Sequence, residues 1–227
     1  MKYKKKGLFL SFEGPEASGK STQLKLLQKF FKRNNIRYVV TREPGGTIVA
    51  EKLRKIILDK KQLISSKEEV LLLMSSRLNH INKVIKPALK ERKIVISDRY
   101  ADSTFVYQGF VNNFGMKETI NLHKKLLDNF LPTKTFLFLL SAQKINERLK
   151  KRKFLNKYDK INTSFHSKVI SGYKKLSKNN NRFIRINAEE PVNDIQQKIL
   201  ESIKRLLKYI VLAKKSFADV FAFFGQG

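Results

Sequence analysis

A glycine-rich segment near the start of the chain constrains the fold more than any other feature. It runs from Gly14 to Thr22 and matches the full pattern G-x-x-x-x-G-K-S/T. An apolar run, Leu8 to Glu13, precedes it, and a stretch with apolar residues at helical spacing follows it. Between a strand and a helix, such a loop binds phosphate groups, because its backbone N–H groups point at phosphate oxygens. The sequence therefore predicts a phosphate-binding P-loop.

The residues of this loop have separate expected roles in binding ATP. Lys20 is expected to reach the β- and γ-phosphates, and the Ser21 hydroxyl is expected to bind Mg²⁺. The predicted ATP contacts are Gly14, Pro15, Glu16, Ala17, Ser18, Gly19, Lys20, Ser21 and Thr22. The alternative is a plain glycine-rich turn.

A carboxylate follows another apolar run further along the chain. Residues Ile94 to Arg99 read Ile-Val-Ile-Ser-Asp-Arg, so Asp98 lies at the end of a predicted strand. The carboxyl end of a neighbouring parallel strand is where a P-loop site places its second acid on the Mg²⁺ side. We therefore predict Asp98 and Ser21 as the metal ligands. The alternative, an aspartate that caps the next helix, is less favoured beside a P-loop.

The order of the apolar runs predicts an α/β fold. Short β-rich runs alternate with longer helical stretches, which is typical of a parallel sheet. The runs are almost continuously apolar, so helices should cover both faces of the sheet, as in the three-layer P-loop NTPase fold. The predicted strands are Leu8 to Glu13, Arg37 to Thr41, Ile94 to Ser97, Thr135 to Leu140 and Arg182 to Ile186. Predicted helices include Glu51 to Leu58 and Glu68 to Leu89, the latter broken near Pro87.

The length of 227 residues predicts a single domain. We expect this domain to span residues 1–208. A highly charged segment at about 144–168 begins with a helical pattern and then loses its periodicity, which is typical of a mobile lid. Residues 209–227 form an apolar, phenylalanine-rich extension whose role the sequence does not indicate.

The formal net charge of +29 has two interpretations. It could serve a nucleic-acid or membrane partner, or it could reflect a compositional bias spread over the whole surface. Lysine and asparagine occur in every segment rather than in one basic motif, so the second interpretation is favoured. No apolar run is long enough to span a membrane, and the chain has no cysteine, so we expect a cytoplasmic protein.

These motifs alone allow an ATPase, a GTPase or a small-molecule kinase. A guanine-binding Asn-Lys-x-Asp motif is absent after the fourth predicted strand, where the chain reads Leu139-Leu140-Ser141-Ala142. The basic lid and a second group of arginines favour a kinase that holds a second phosphorylated substrate.

Several further motifs resemble those of the bacterial thymidylate kinases, in order and spacing, from about Gly7 to Lys208. The segment from Thr41 to Thr47, Thr-Arg-Glu-Pro-Gly-Gly-Thr, matches the family loop letter for letter. The motif Asp98-Arg99-Tyr100 and the pair of segments Ser103-Thr104 and Tyr107-Gln108-Gly109 also match.

The resemblance implies that the chain uses ATP and Mg²⁺ to phosphorylate dTMP to dTDP for DNA synthesis, as a homodimer. It implies that Arg99, with Arg54, holds the dTMP phosphate and that Arg77 binds the thymine carbonyl. The implied dTMP contacts are Glu43, Arg54, Leu73, Arg77, Arg99, Thr104, Tyr107 and Gln108. The implied catalytic residues are Lys20, Arg99, Arg152 and Glu16.

One difference between subclasses of the family and one departure from the family pattern affect these expectations. The P-loop has no arginine, so the lid residues Arg148 and Arg152 are expected to supply positive charge at the ATP phosphates. Leu73 stands where the family has a phenylalanine that stacks on thymine, and we expect weaker dTMP binding by about 0.5–1.5 kcal/mol. The remaining alternatives are a kinase for another nucleotide, such as dUMP, and a basic nucleic-acid-binding P-loop protein.

Overall fold

A parallel sheet forms the centre of the protein. The computed structural model describes residues 7–59, 61, 63–151 and 163–212. Within these residues the sheet has five strands in the order β2-β3-β1-β4-β5, and every neighbouring pair is parallel. The strands are β1 Leu8–Glu13, β2 Tyr38–Arg42, β3 Ile94–Asp98, β4 Lys134–Leu139 and β5 Phe183–Asn187. The predicted α/β fold is confirmed, and each strand differs from its prediction by at most one residue at either end.

The helices lie on both faces of this sheet. They are α1 Lys20–Arg33, α2 Ile48–Leu58, α3 Ser66–His80, α4 Lys86–Lys90, α5 Ala101–Thr104, α6 Met116–Leu126, α7 Ala142–Lys150, α8 Thr163–Ser177 and α9 Val192–Leu212. Segments of π-helix at Ile81–Ile85 and Phe105–Val111 continue α3 and α5. None of the helices in the described residues is both long and apolar enough to cross a membrane.

The side chains of β1 point alternately into two layers of the core, one on each face of the sheet. Leu8, Leu10 and Phe12 pack against α1 and α9 on one face of the sheet. Phe9 packs on the opposite face with residues of α3 and of the turn after β3. Since successive side chains of a strand point to opposite faces, Glu13 lies on the same face as Phe9. This places a charged side chain inside the layer formed by α3, α5 and α8.

The irregularity expected near Pro87 is a π-helical segment just before the proline. The α-helical geometry of α3 already ends at His80, and the π-helical segment Ile81–Ile85 carries the chain to Pro87 near the start of α4. Proline lacks a backbone N–H, and its ring clashes with the carbonyl four residues earlier, so a wider helical turn before it relieves the conflict. The start of α2 also differs from its prediction, because Thr47 caps the helix and Ile48 begins it.

The two expected segments at the edges of the domain are only partly described. The predicted lid, at about 144–168, includes most of α7 and the start of α8. Its residues 152–162, including Arg152, lie outside the described residues. Helix α9 runs without interruption from Val192 to Leu212, across the expected end of the domain at 208. Residues 213–227 also lie outside the described residues.

Candidate nucleotide-binding site

The P-loop connects β1 to α1 at the carboxyl edge of the sheet. Gly14 has a φ of 136° and Gly19 has a φ of 87°, in regions that favour glycine. A Cβ on Gly14 would lie 2.3 Å from the carbonyl oxygen of Phe138, so the loop also needs glycine there for space. The loop leads directly into Lys20 at the N-terminus of α1, where free backbone N–H groups and the helix dipole favour an anion.

Lys20 lies folded over the P-loop. Its Nζ donates hydrogen bonds to the carbonyl oxygens of Gly14, at 3.0 Å, and Pro15, at 2.7 Å, and to the Ser18 hydroxyl, at 3.0 Å. Burial lowers the pKa of Lys20 to about 8, although the nearby Asp98 and Glu16 oppose this shift. The ammonium group is therefore held at the site by the loop rather than by water.

Two oxygen ligands lie beside Lys20 and could hold a metal ion. Ser21 lies in the first turn of α1 and Asp98 ends β3, and both line one groove together with Thr41 and Arg42. A hydroxyl and a carboxylate are hard oxygen donors of the kind that Mg²⁺ prefers when phosphates and waters complete its octahedron. The described residues contain no cluster of three or more acidic, histidine or cysteine ligands. The donor set therefore fits a magnesium ion shared with a phosphate chain.

A separate pocket, open to solvent, lies next to the P-loop on the α3 and α5 side. Its lining combines apolar side chains with a few charged and polar ones. The lining residues are Glu16, Glu43, Pro44, Ile57, Leu58, Glu69, Leu73, Arg77, Arg99, Tyr100, Ser103, Thr104, Tyr107 and Gln108. Such a composition suits a small molecule with one flat apolar part and a few polar groups.

Arg77 is fixed at the inner end of this pocket. Its Nε donates to Oε2 of Glu43 at 2.7 Å, and its Nη2 donates to the Thr104 hydroxyl at 2.8 Å. His80 binds the other oxygen of Glu43 at 2.9 Å through Nδ1, and Thr41 at 2.7 Å through Nε2. Burial acts to raise the pKa of Glu43, but Arg77 and His80 outweigh it and hold the pKa below its usual value. An ionised carboxylate thus orients the guanidinium toward the pocket.

Arg99 lies where the pocket meets the P-loop. Its Nη2 donates to Oε1 of Glu16 at 2.7 Å, and its Nη1 donates to the carbonyl oxygen of Gly14 at 3.0 Å. The guanidinium also stacks over the ring of Tyr107, whose hydroxyl donates to Oε2 of Glu16 at 2.7 Å. Burial acts to raise the pKa of Glu16, but Arg99 and Lys20 together lower it. The ion pair between Arg99 and Glu16 therefore links the pocket to the P-loop.

Comparison with known proteins identifies the family of this chain. A protein-family model described as thymidylate kinase matches residues 12–199. The thymidylate kinase of Clostridium novyi is 38% identical over 207 residues, which cover 89% of this chain and 99% of that protein. The thymidylate kinase of Orientia tsutsugamushi is 40% identical and covers 91% of this chain and 97% of its own length. The chain belongs to the thymidylate kinase family. The resemblance read from the sequence is thus confirmed.

The positions that the thymidylate kinase motifs predict fall into three groups. Glu16, Glu43, Leu73, Arg77, Arg99, Thr104, Tyr107 and Gln108 line the pocket. The P-loop residues lead into α1, and Ser21 shares a separate groove with Asp98. The third group lies beside these two sites: the Nη1 of Arg54 donates to the carbonyl oxygen of Pro44, and Arg148 donates to the carbonyl oxygens of Ala17 and Ala188.

Sequence reasoning missed some residues that the fold brings to this family site. His80 lies three residues after Arg77, so both project from one face of α3, and that spacing was the available signal. Glu13 gave a second signal, since it is a charged residue at the end of an otherwise apolar buried strand. The hydroxyl of Tyr173 reaches the same region from α8, and nothing in its local sequence indicates this.

Proposed function

We propose that this chain transfers the γ-phosphoryl group of ATP to dTMP and so forms dTDP and ADP. The observation that carries the proposal is the position of Arg99, which binds the P-loop through Glu16 and Gly14 and also lines the adjoining pocket. An acceptor in that pocket would present its phosphate beside the donor phosphates. We infer that the reaction takes place in the cytoplasm, where ATP and nucleotides are available.

The pocket residues suit dTMP as the acceptor. Arg77, Thr104 and Gln108 would bind the polar edge of thymine, because all three are buried and line the inner part of the pocket. Arg99 would bind the phosphate, with Arg54 approaching from α2. Tyr107 would lie against the sugar and disfavour a 2′-hydroxyl, and Leu73 would form part of the apolar wall. The weaker binding expected from Leu73 stays a prediction.

The donor side would hold ATP through the P-loop. Lys20 would exchange its bonds to the loop for bonds to the β- and γ-phosphates. Ser21 and Asp98 would hold Mg²⁺, which when bound neutralises phosphate charge and orients the phosphate chain. Arg148 already contacts Ala17 of the P-loop and would lie beside the nucleotide. Glu16 would bind the 3′-hydroxyl of dTMP or a water on the metal.

Transfer requires an in-line attack on the γ-phosphorus of ATP. An oxygen of the dTMP phosphate forms the new P–O bond, and the bond to the β-phosphate oxygen breaks and leaves ADP. The attacking oxygen is already anionic near neutral pH, so no general base is needed. The protein supplies positioning and positive charge, which dominate catalysis of phosphoryl transfer. Lys20 and Arg99 would supply that charge, together with the lid residue Arg152.

We further propose that the enzyme is a homodimer that pairs through α2 and α3. These helices pack on each other and expose Val49, Ile56, Leu71 and Leu78. On each helix the two exposed apolar residues are seven positions apart, which is two helical turns, so they lie on the same face of that helix.

Sedimentation at micromolar concentration should give the mass of a dimer, and Leu78→Glu should shift the measured mass toward that of the monomer. A monomer in the wild-type protein at that concentration would contradict this proposal.

A comparison of phosphate acceptors tests the proposed activity. With Mg-ATP, ADP release in the presence of dTMP is expected to exceed release with dUMP, with dCMP or with no acceptor. Equal release with every acceptor would contradict the assignment to dTMP. If turnover is absent and the protein binds nucleic acid with an affinity that falls steeply with salt, the nucleic-acid alternative would replace the kinase.

A further inference from the structure

Glu13, at the end of β1, is a fully buried carboxylate that has no role in the proposed mechanism. Its Oε1 accepts hydrogen bonds from the backbone N–H groups of Tyr100, at 2.6 Å, and Ser103, at 3.4 Å. Its Oε2 accepts from the Ser103 hydroxyl, at 2.6 Å, and the Tyr173 hydroxyl, at 2.9 Å. All these groups lie in or against the turn that follows Arg99.

The same two hydroxyl groups also contact Arg99. The Nη1 of Arg99 lies 3.1 Å from the Ser103 hydroxyl and 3.4 Å from the Tyr173 hydroxyl. A guanidinium only donates hydrogen bonds and an ionised carboxylate only accepts them. When Glu13 is ionised, each hydroxyl can give its hydrogen to Glu13 or to the other hydroxyl, which lies 3.1 Å away. The shorter distances to Glu13, 2.6 Å and 2.9 Å, favour Glu13 and leave a lone pair of each hydroxyl for Arg99. The charge on Glu13 thus sets the orientation of both hydroxyl groups.

The backbone of Arg99 needs such support. Its φ is 66°, which is an uncommon conformation for a residue with a side chain. Conformations of this kind persist only where the surrounding structure fixes them. Here the Arg99 N–H donates to the carbonyl oxygen of Phe12 at 2.9 Å, and Glu13 binds the next N–H in the chain, that of Tyr100. Glu13 therefore restrains both the backbone and the side chain of this turn.

We propose that Glu13 is a positioning residue for Arg99: through Ser103 and Tyr173 it holds the guanidinium ready for the phosphate of the acceptor. Tyr173 extends this link to α8, whose first residues belong to the predicted lid segment. The inference rests on the proposed function, in which Arg99 binds that phosphate. It makes Glu13 essential to phosphate recognition without any contact to the nucleotide.

Glu13→Gln is the most direct test, because glutamine keeps the shape of the side chain but brings an amide donor toward the hydroxyl groups. The affinities of dTMP and thymidine would be measured by titration calorimetry. Thymidine lacks the phosphate, so only dTMP should bind more weakly to the variant. We expect a loss of about tenfold to a hundredfold for dTMP, as for hydrogen bonds that involve charged groups. Thymidine affinity should change by less than about twofold.

Tyr173→Phe removes only one hydroxyl and tests the link from α8. We expect dTMP to bind about fivefold more weakly, again without a change for thymidine. Tyr38→Phe is the matched control, since Tyr38 lies on β2 against Phe31, away from the pocket. This control should bind both ligands like the wild type. The melting temperature of each variant shows whether the fold is kept, and Tyr173→Phe tests the proposal even if Glu13→Gln does not fold.

The pH dependence of kcat/KM separates a positioning role of Glu13 from a merely structural one, which would give the same loss at every pH. Burial and the nearby Asp102 raise the pKa of Glu13 to about 7, against the opposing charge of Arg99. The charged and titratable groups that face Glu13 are Asp102, Arg99, Tyr173 and Lys20. Below pH 7 the wild-type carboxyl takes up a proton and comes to resemble glutamine. The ratio of wild-type to Glu13→Gln kcat/KM for dTMP should therefore be largest at pH 8 and should shrink toward pH 6.

The possible outcomes separate this inference from the proposed function. An equal loss for dTMP and thymidine would mean that Glu13 supports the whole pocket, and no loss for either would mean that Arg99 needs no support; each overturns the inference alone. A wild-type protein that does not prefer dTMP to thymidine would overturn the proposed function, and the inference with it. Loss confined to dTMP in both variants would establish Glu13 as a positioning residue.

Discussion

Replacing Arg77 with methionine is expected to lower the free energy of unfolding by about 3–5 kcal/mol. The side chains of Arg77 and Glu43 are almost completely buried and form an ion pair at 2.7 Å. Methionine fills similar space but leaves the Glu43 carboxylate buried, and His80 is then its one polar side-chain partner among the described residues. An uncompensated buried charge costs far more than the pair contributes, which gives the size of the effect. Urea unfolding at pH 8 would measure it.

The pH dependence of this loss has a definite sign. In the wild type, Arg77 holds the pKa of Glu43 below its usual value, so the ion pair stabilises the folded state at neutral pH. In the variant, burial acts without that opposing charge, and the pKa of Glu43 should rise above its value in the unfolded chain. The variant is then penalised most at high pH, and the difference from the wild type should shrink as pH falls toward 5.

Two further variants act as controls for the Arg77 experiment. Arg37 pairs with Glu91 at the surface, where both side chains are more than half exposed, and Arg37→Met should cost less than about 1 kcal/mol. The double variant Arg77→Met with Glu43→Gln removes the stranded charge and should recover part of the stability. A loss for Arg77→Met that is independent of pH and unchanged by Glu43→Gln would contradict this account.

The sequence predicted those parts of the fold that depend on local patterns. Apolar runs with turns between them predicted the positions of all five strands, because a strand buried on both faces needs an unbroken apolar segment. The P-loop was predicted for a similar reason, since its glycines satisfy conformational demands within the loop itself. The π-helical segment before Pro87 was not predicted. A proline in the sequence shows that the regular helix must be distorted, but it does not show which residues take up the distortion.

The contacts around the two pocket arginines could not be predicted in this way. Glu13 and Tyr173 are 160 positions apart in the chain, and Glu16 and Arg99 are 83 apart. They meet because β1 lies between β3 and β4 in the sheet, and strand order is not a local property of the sequence. The family motifs pointed to Arg77 and Arg99 and to Glu43 and Glu16, but not to the pairing between them. They gave no role to Glu13.

Lys20→Met should lower turnover at least about a hundredfold while leaving the fold at least as stable as in the wild type. Lys20 is the buried ammonium group of the P-loop, and loss of one preorganised donor at developing charge typically lowers kcat by about a hundredfold to a thousandfold. Burial lowers its folded-state pKa to about 8, below the ordinary lysine value of 10.5. The folded state therefore binds this proton less tightly than the unfolded chain does. At neutral pH the charged lysine opposes folding by up to about 3 kcal/mol, and this cost decreases as pH rises above 8.

The three hydrogen bonds that Lys20 donates to the P-loop offset part of this cost, so the unfolding free energy of Lys20→Met should equal or exceed that of the wild type at pH 7. ADP release with dTMP and urea unfolding would be measured on the same samples. Lys29→Met is the matched control, because Lys29 is exposed on the outer face of α1 and should affect neither quantity. If Lys20→Met lost stability and activity together, Lys20 would be needed for folding of the loop. Loss of turnover with stability kept would mean that the protein retains a destabilising buried charge because phosphoryl transfer requires it.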